Sequence, residues 1–171
     1  MQLKKIIIAG GCFWGVEAYY KRLRGVLLTR AGYTDGPGEN PSYADVSRAS
    51  GHVEAVYIEY DENTITQRQL LDHFLRIVDP TLANRQGGDI GIQYRTAVFL
   101  YDEGDYAAAV EYLTQAQSRY SRKIQTAIKH AGSFYEAETY HQDYLGKNPS
   151  GYCHINLHLA KPDELKEEYH V

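Results

Sequence analysis

Apolar and polar positions follow two different periods along this chain, and each change of period marks an element. Residues 4–9 carry the unbroken run Ile6-Ile7-Ile8, as expected of a strand buried on both faces. From 13 to 24 the apolar positions are Val16, Tyr19, Tyr20 and Leu23, a helical spacing that Gly25 ends. A second strand is predicted over 26–33, and a β-branched, aromatic third one over 53–60. Leu70, Leu71, Phe74 and Val78 predict a helix over 67–78, stopped by Asp79-Pro80. A strand over 96–101, a helix over 106–120 and a strand over 124–128 follow. A short helix is expected over 137–145, a turn region over 146–151 and a charged terminal helix over 162–169. The stretches 34–51 and 84–94 are polar and glycine-rich and are predicted as loops. Loops of that length in compact domains usually carry function.

The β-α-β-β-α-β order over the first hundred residues matches the ferredoxin-like split unit. The expected fold is therefore α+β, a two-layer sandwich with a βαββαβ core and a C-terminal extension. At 171 residues, with no repeat, low-complexity tract or linker, the chain is expected to form one domain over 1–171.

Composition narrows the function classes. A net charge of -4 without any basic block excludes a nucleic-acid footprint. No run approaches the ~20 apolar residues of a membrane span. Lys4 and Lys5 precede an apolar stretch, but Ile6 to Ala9 is far shorter than the ~7–15 residues of an export signal. A cytoplasmic protein is expected. The 16 tyrosines are expected mainly as packing residues whose hydroxyls find a partner or water.

The candidate chemistry begins at Gly10-Gly11-Cys12-Phe13-Trp14-Gly15, where a strand gives way to a helix. Cys12 lies one turn before Val16, in the expected first turn, where free N–H groups and the helix dipole favour thiolate. Beside Phe13 and Trp14, that thiolate looks like a nucleophile facing an apolar pocket. A cysteine after a buried strand is also read as a small core hydrophobe. The glycines fit neither G-x-G-x-x-G nor a phosphate loop, since no Lys-Ser/Thr pair follows. The other cysteine, Cys153, lies near the far end of the chain. A structural disulfide closing that loop would add roughly 4–5 kcal/mol but needs an oxidising compartment; a reducing one favours thiols that pair transiently.

Glu54 stands in phase with Val56, Ile58 and Tyr60 along its strand. On a buried face, desolvation would raise its pKa and keep it a neutral general acid; at the sheet edge it would simply reach solvent. The two loops supply Tyr43, Asp89 and Tyr94, each also readable as an ordinary turn residue. His141, His154 and His158 lack a second ligand pair at zinc-like spacing, so exposed or core-satisfied histidines are expected and no metal site.

The chain carries Gly11-Cys12-Phe13-Trp14-Gly15, Gly51-His52-Val53-Glu54, Gly91-Ile92-Gln93-Tyr94-Arg95, Tyr140-His141-Gln142-Asp143-Tyr144-Leu145 and Lys147-Asn148-Pro149-Ser150-Gly151-Tyr152-Cys153. Taken together, these five segments resemble the peptide methionine sulfoxide reductase A family. The resemblance covers nearly the whole chain. It implies thiol-dependent reduction of methionine S-sulfoxide, free or peptide-bound, with Cys12 as the nucleophile and Cys153 resolving its sulfenic acid as a disulfide. It implies an apolar methyl site at Phe13 and Trp14, and hydrogen bonding and protonation of the sulfoxide oxygen by Glu54, Tyr43 and Tyr94, with Asp89 in support. Thioredoxin is the implied reductant, with no metal or nucleotide cofactor. Some relatives carry a further C-terminal cysteine that this chain lacks, so a single-step relay is expected. Ser47 stands where many members have a non-catalytic cysteine. Two rivals remain at this stage: a cysteine hydrolase pairing Cys12 with a histidine, which leaves Cys153 without a purpose, and a non-catalytic module that binds oxidised methionine.

Overall fold

The computed structural model describes residues 1–170. Strand β1 (Leu3–Gly10) leads into helix α1 (Phe13–Lys21), then β2 (Val26–Thr34), the short helix α2 (Tyr43–Ser47) and β3 (Val53–Asp61). Helix α3 (Gln67–Ile77) is followed by the two-residue strands β4 (Arg85–Gln86) and β5 (Asp89–Ile90), which pair as a separate hairpin. Strand β6 (Thr96–Leu100), helix α4 (Glu103–Ala116), strands β7 (Ala127–His130) and β8 (Phe134–Glu136) and helix α5 (Tyr144–Lys147) complete the elements. The main sheet runs β7-β6-β1-β3-β2-β8. Strand β1 lies near its centre, antiparallel to both β3 and β6, while β7 joins β6 in parallel.

The isoleucine run takes that central place because both of its faces are covered. Ile6 and Ile8 pack with Val56, Ile58 and Tyr60 of β3 against Val16, Tyr20 and Phe74 of the helices. Ile7 and Ala9 turn the other way, into a second cluster with Val53, Ala55, Ala97 and Phe99. Each fully buried isoleucine is worth roughly 1.5–3 kcal/mol against its exposed state. Beneath the helices, the Tyr20 hydroxyl donates to the Leu70 carbonyl at 2.9 Å, tying α1 to α3.

Several predicted elements are corrected, and each correction has a local cause. The loop over 34–51 contains α2, capped reciprocally by the side chains of Ser42 and Asp45, a short-range signal in Ser42-Tyr43-Ala44-Asp45. The loop over 84–94 holds the β4/β5 hairpin and a single 3-10 turn at Ile92–Tyr94. The helix expected over 106–120 begins earlier, because Asp102 caps it by accepting from the Asp105 N–H at 2.8 Å. The strand expected over 124–128 is shifted to β7. The Ile124 and Gln125 N–H groups donate instead to the Gln117 side chain and the Pro80 carbonyl. The helix expected over 137–145 does not form as one piece. Asp143 adopts a left-handed φ of 51°, and the Gln142 amide binds both backbone groups of Ala31 at 2.9 and 2.8 Å.

The terminal helix expected over 162–169 is likewise two isolated 3-10 turns, at Pro162–Glu164 and Glu167–Tyr169. Tertiary ties hold this stretch extended. Arg76 grips Glu164 with two bonds of 2.7 and 2.9 Å, the Lys166 N–H donates to the Arg22 carbonyl at 2.8 Å, and Leu165 bridges to Leu23. Among the described residues no helix is long and apolar enough to cross a membrane.

Two buried tyrosines separate packing from hydrogen bonding. Removing the hydroxyl in Tyr20→Phe leaves the Leu70 carbonyl without its side-chain partner and should cost about 1 kcal/mol. The Tyr60 hydroxyl is buried with no hydrogen-bond partner among the described residues, so Tyr60→Phe removes an unpaired polar group and should raise stability by about 1–3 kcal/mol. Urea unfolding of the two variants checks the difference.

Candidate active site

The site is assembled where β1 ends. Gly10 closes the strand, Gly11 turns the chain with φ +88°, and Cys12 is the residue that precedes the first turn of α1. Phe13 and Trp14 open the helix. Cys12 is therefore one position outside the turn in which it was expected, and its side chain makes no capping hydrogen bond. Only 8% of it is exposed. Burial pushes its thiol pKa well up; the charges of Glu54 and Asp89 add to the rise, against a smaller pull from the Trp14 N–H. The expected thiolate is thus corrected to a thiol in the ligand-free site, because desolvation outweighs the helix end.

Glu54 lies on the helix-facing side of β3, 1% exposed, and the reading of an edge residue reaching water falls away. Its Oε1 accepts the Phe13 N–H at 3.2 Å. Burial raises the carboxyl to about 8, opposed by that hydrogen bond and assisted by the charge of Asp89. With Oε1 accepting, the proton of the neutral acid resides on Oε2. The carboxyl is then a hydrogen-bond donor within the electrostatic reach of Cys12.

The remaining candidates gather around these two. Tyr43, the first residue of α2, and Tyr94, at the end of the 3-10 turn, are both raised above the ordinary phenol value. Burial is the main cause and the Glu54 charge the next, with the Cys12 sulfur also acting on both. Both remain neutral donors at neutral pH. Asp89, on β5, acts on Cys12, Glu54 and Tyr94, and its Oδ2 accepts the Tyr152 hydroxyl at 3.0 Å. Cys153 lies against α1: a Cβ added at Gly15 would fall 2.9 Å from its sulfur. Gly15 is three residues beyond Cys12, on the same side of the helix end. Both cysteines are free thiols. All eight sequence candidates therefore fall within one neighbourhood.

Three further residues support the site in roles that the sequence pattern did not assign to them. His141, expected from sequence as an exposed or core-satisfied histidine, is 1% exposed and accepts the Trp14 indole N–H on Nδ1 at 3.0 Å. Tyr144 stacks on the Trp14 ring at 3.7 Å between centroids, so the indole is fixed on two sides. Glu138 accepts both the Tyr43 N–H at 3.1 Å and the Tyr33 hydroxyl at 2.9 Å, anchoring the start of α2. Burial pushes Glu138 upward, but these donors and its own backbone outweigh it and hold the carboxyl below its ordinary value. Nothing in the spacing marks Glu138; its partners lie about a hundred residues away. Among the described residues no three His, Cys, Asp or Glu side chains group as metal ligands would.

Comparison with known proteins gives the family. A family model described as peptide methionine sulfoxide reductase matches residues 4–170. The chain belongs to the peptide methionine sulfoxide reductase family. It is 50% identical over 156 residues to the peptide methionine sulfoxide reductase MsrA of Clostridium botulinum, covering 91% of this chain and 99% of that relative. The crystal structure of Mxr1 from Saccharomyces cerevisiae in reduced form superposes with a TM-score of 0.85 at 36% identity, covering 94% of this chain and 93% of that one. The same yeast protein in complex with Trx2 superposes less closely, with a TM-score of 0.59 at 26% identity over 84% and 85% of the two chains. This member of the family reduces methionine sulfoxide.

The reductase's buried acid has a measurable consequence for stability. The folded state holds the Glu54 proton more tightly than the unfolded chain, whose carboxyl has the ordinary value of 4.5. Its stabilising contribution is therefore complete below that value and is lost as pH rises through about 8. Glu54→Gln removes this dependence. The Tm of the variant minus that of the wild type should increase as pH rises from about 4.5 to about 8. A difference that stays constant with pH would refute the raised pKa.

Proposed function

We propose that Cys12 attacks the sulfoxide sulfur while Glu54 protonates the departing oxygen. The observation that carries this reading is a buried neutral carboxyl held at the same helix end as a buried thiol. The substrate's S-methyl group packs against Phe13 and against Trp14, whose indole is fixed by His141 and Tyr144. The oxygen lies on the opposite, polar wall, where Glu54, Tyr43 and Tyr94 donate to it and Asp89 supports them. Exchanging methyl and oxygen would put the oxygen against an aromatic wall and leave buried donors unpaired, which favours the S epimer.

Proton inventory fits the resting thiol. Glu54 gives its proton to the oxygen, and the carboxylate so formed takes the proton of the Cys12 thiol. The sulfur–oxygen bond breaks on the substrate and forms on Cys12, giving methionine and a sulfenic acid. Cys153 then attacks that sulfenic sulfur; a disulfide forms and the hydroxyl leaves as water. A thioredoxin dithiol returns both cysteines to thiols, a role supported by the yeast relative's complex with Trx2. A cysteine hydrolase is disfavoured because it leaves Cys153 without a role and because His141 Nδ1 already accepts from Trp14. We read the chain as a single cytoplasmic reductase domain over 1–171. Strands β6-β1-β3-β2 with α1 and α3 form its ferredoxin-like unit, a reading supported by their order and antiparallel pairing.

Rapid-quench kinetics on single variants test the roles. Cys12→Ser should abolish turnover, because a hydroxyl is neither soft nor acidic enough to replace the sulfur nucleophile. Without small thiols, Cys153→Ser should release about one thioether per enzyme and stop. Glu54→Gln should slow the first step ~10²–10⁴-fold. In the wild type that step should slow as pH rises through about 8, where the acid loses its proton. Sustained thioredoxin-driven turnover by Cys153→Ser, or a wild-type first step in Glu54→Gln, would refute the respective assignment.

A further inference from the structure

His154 is tied to the strand end that carries the nucleophile. Its Nε2 lies 2.9 Å from the carbonyl oxygen of Gly10, 144 residues away in sequence and two before Cys12. A carbonyl can only accept, so Nε2 carries the proton and donates. Nδ1 is then the bare nitrogen of a neutral ring, and it is buried without a partner among the described residues. Burial lowers the pKa of the ring, against smaller opposing effects of the Gly10 carbonyl and the Asp89 charge, so the ring remains neutral at neutral pH. The backbone between Gly10 and Cys12 is open to the imidazole. A Cβ at Gly11 would fall 2.8 Å from His154 Nε2, and the φ of +88° there is one that side-chain-bearing residues rarely adopt.

The neighbouring residues make the consequence clear. Cys153 sits between His154 and Tyr152, whose hydroxyl is bonded to Asp89, and its sulfur lies over Gly15. Downstream, Ile155 packs into the main core against Gly15, and the Lys166 N–H donates to the Arg22 carbonyl. His154 connects the Cys153 segment to β1. A disulfide requires the two Cα atoms within about 4.4–6.8 Å and the sulfurs correctly directed. A tie next to Cys153 that ends two residues from Cys12 limits how far the segment can move away from the nucleophile.

We propose that His154 is a positioning residue for the resolving step, holding Cys153 beside Cys12 through the Gly10 carbonyl. The inference rests on the reading of Cys153 as the resolving thiol. The step it serves joins the Cys153 thiol to the Cys12 sulfenic acid: the S–O bond breaks, the S–S bond forms, and the thiol proton leaves with the hydroxyl as water. His154 takes no part in the first step, the transfer of oxygen from substrate to Cys12. Loss of one neutral hydrogen bond corresponds to roughly 2–10-fold in the population of the docked segment.

The test is the partition of the Cys12 sulfenic acid between the disulfide and a dimedone adduct, read by mass spectrometry after a single turnover with methionine sulfoxide. This ratio does not depend on the speed of the first step. His154→Ala should shift it toward the adduct by roughly 2–10-fold while the rate of methionine release stays at the wild-type value. His154→Gln, whose side-chain amide can donate to Gly10, should restore the ratio. Dimedone capture in Cys153→Ser and in Cys153→Ser/His154→Ala should proceed at equal rates, showing that the shift is not one of access. An unchanged ratio in His154→Ala, a ratio that Gln fails to restore, or unequal capture would overturn the positioning role. If Cys153→Ser itself sustains thioredoxin-driven turnover, the resolving role of Cys153 fails and the inference with it. Wild-type partition in His154→Ala alongside arrest of Cys153→Ser removes the inference alone.

Discussion

A single hydrogen bond from the Phe13 N–H to the buried carboxyl of Glu54 joins the two elements on which this site depends. It fixes the end of β1 and the start of α1 against β3 and occupies one carboxyl oxygen, leaving the other to carry a proton. That proton is retained because the helix-facing side of β3 is apolar below Glu54, with Val56, Ile58 and Tyr60 buried in the same row. The hydrogen bond by itself favours the carboxylate, but desolvation outweighs it, and the balance falls near neutrality. A carboxyl in that range can both give and take a proton, which a sulfoxide reductase with a thiol nucleophile requires.

Cys12 follows the same constraint. The helix end was expected to supply a thiolate, yet burial holds the thiol, with the charge of Asp89 adding to the rise and that of Glu54 joining only once Glu54 ionises. Burial is the main cause of both neutral states, and because each charge would disfavour the other, the two groups do not ionise together. Nucleophile and acid thus rest as a neutral pair, activated together when substrate arrives. The aromatic wall is set more rigidly: Trp14 is bonded by His141 and stacked by Tyr144, both from the region between β8 and the C-terminal segment.

How much of this was legible in the sequence follows from the range of the interactions. The isoleucine run, the helical spacing through Leu23 and the phase of Glu54 are local patterns, and each led to the correct neighbourhood. Boundaries failed where a distant partner decided the backbone. Asp143 turned left-handed beside a Gln142 amide bound to Ala31, and the charged terminal stretch was drawn out by Arg76 and Arg22. The state of Cys12 failed because desolvation depends on packing from β3 and the C-terminal segment, which spacing does not record. Glu138 was missed for the same reason: its carboxylate is defined by donors on β2 and α2.

The central claim is that Glu54 is a neutral acid in the resting enzyme. It is tested most directly by ¹³C NMR of the Glu54 side-chain carboxyl carbon, labelled and assigned by comparison with Glu54→Gln. The reduced, ligand-free protein would be titrated from about pH 4 to about pH 10. A midpoint near 8 is the result that burial and the charge of Asp89 require. A midpoint near the ordinary 4.5 would leave a carboxylate beside Cys12 at neutral pH, and would contradict the account.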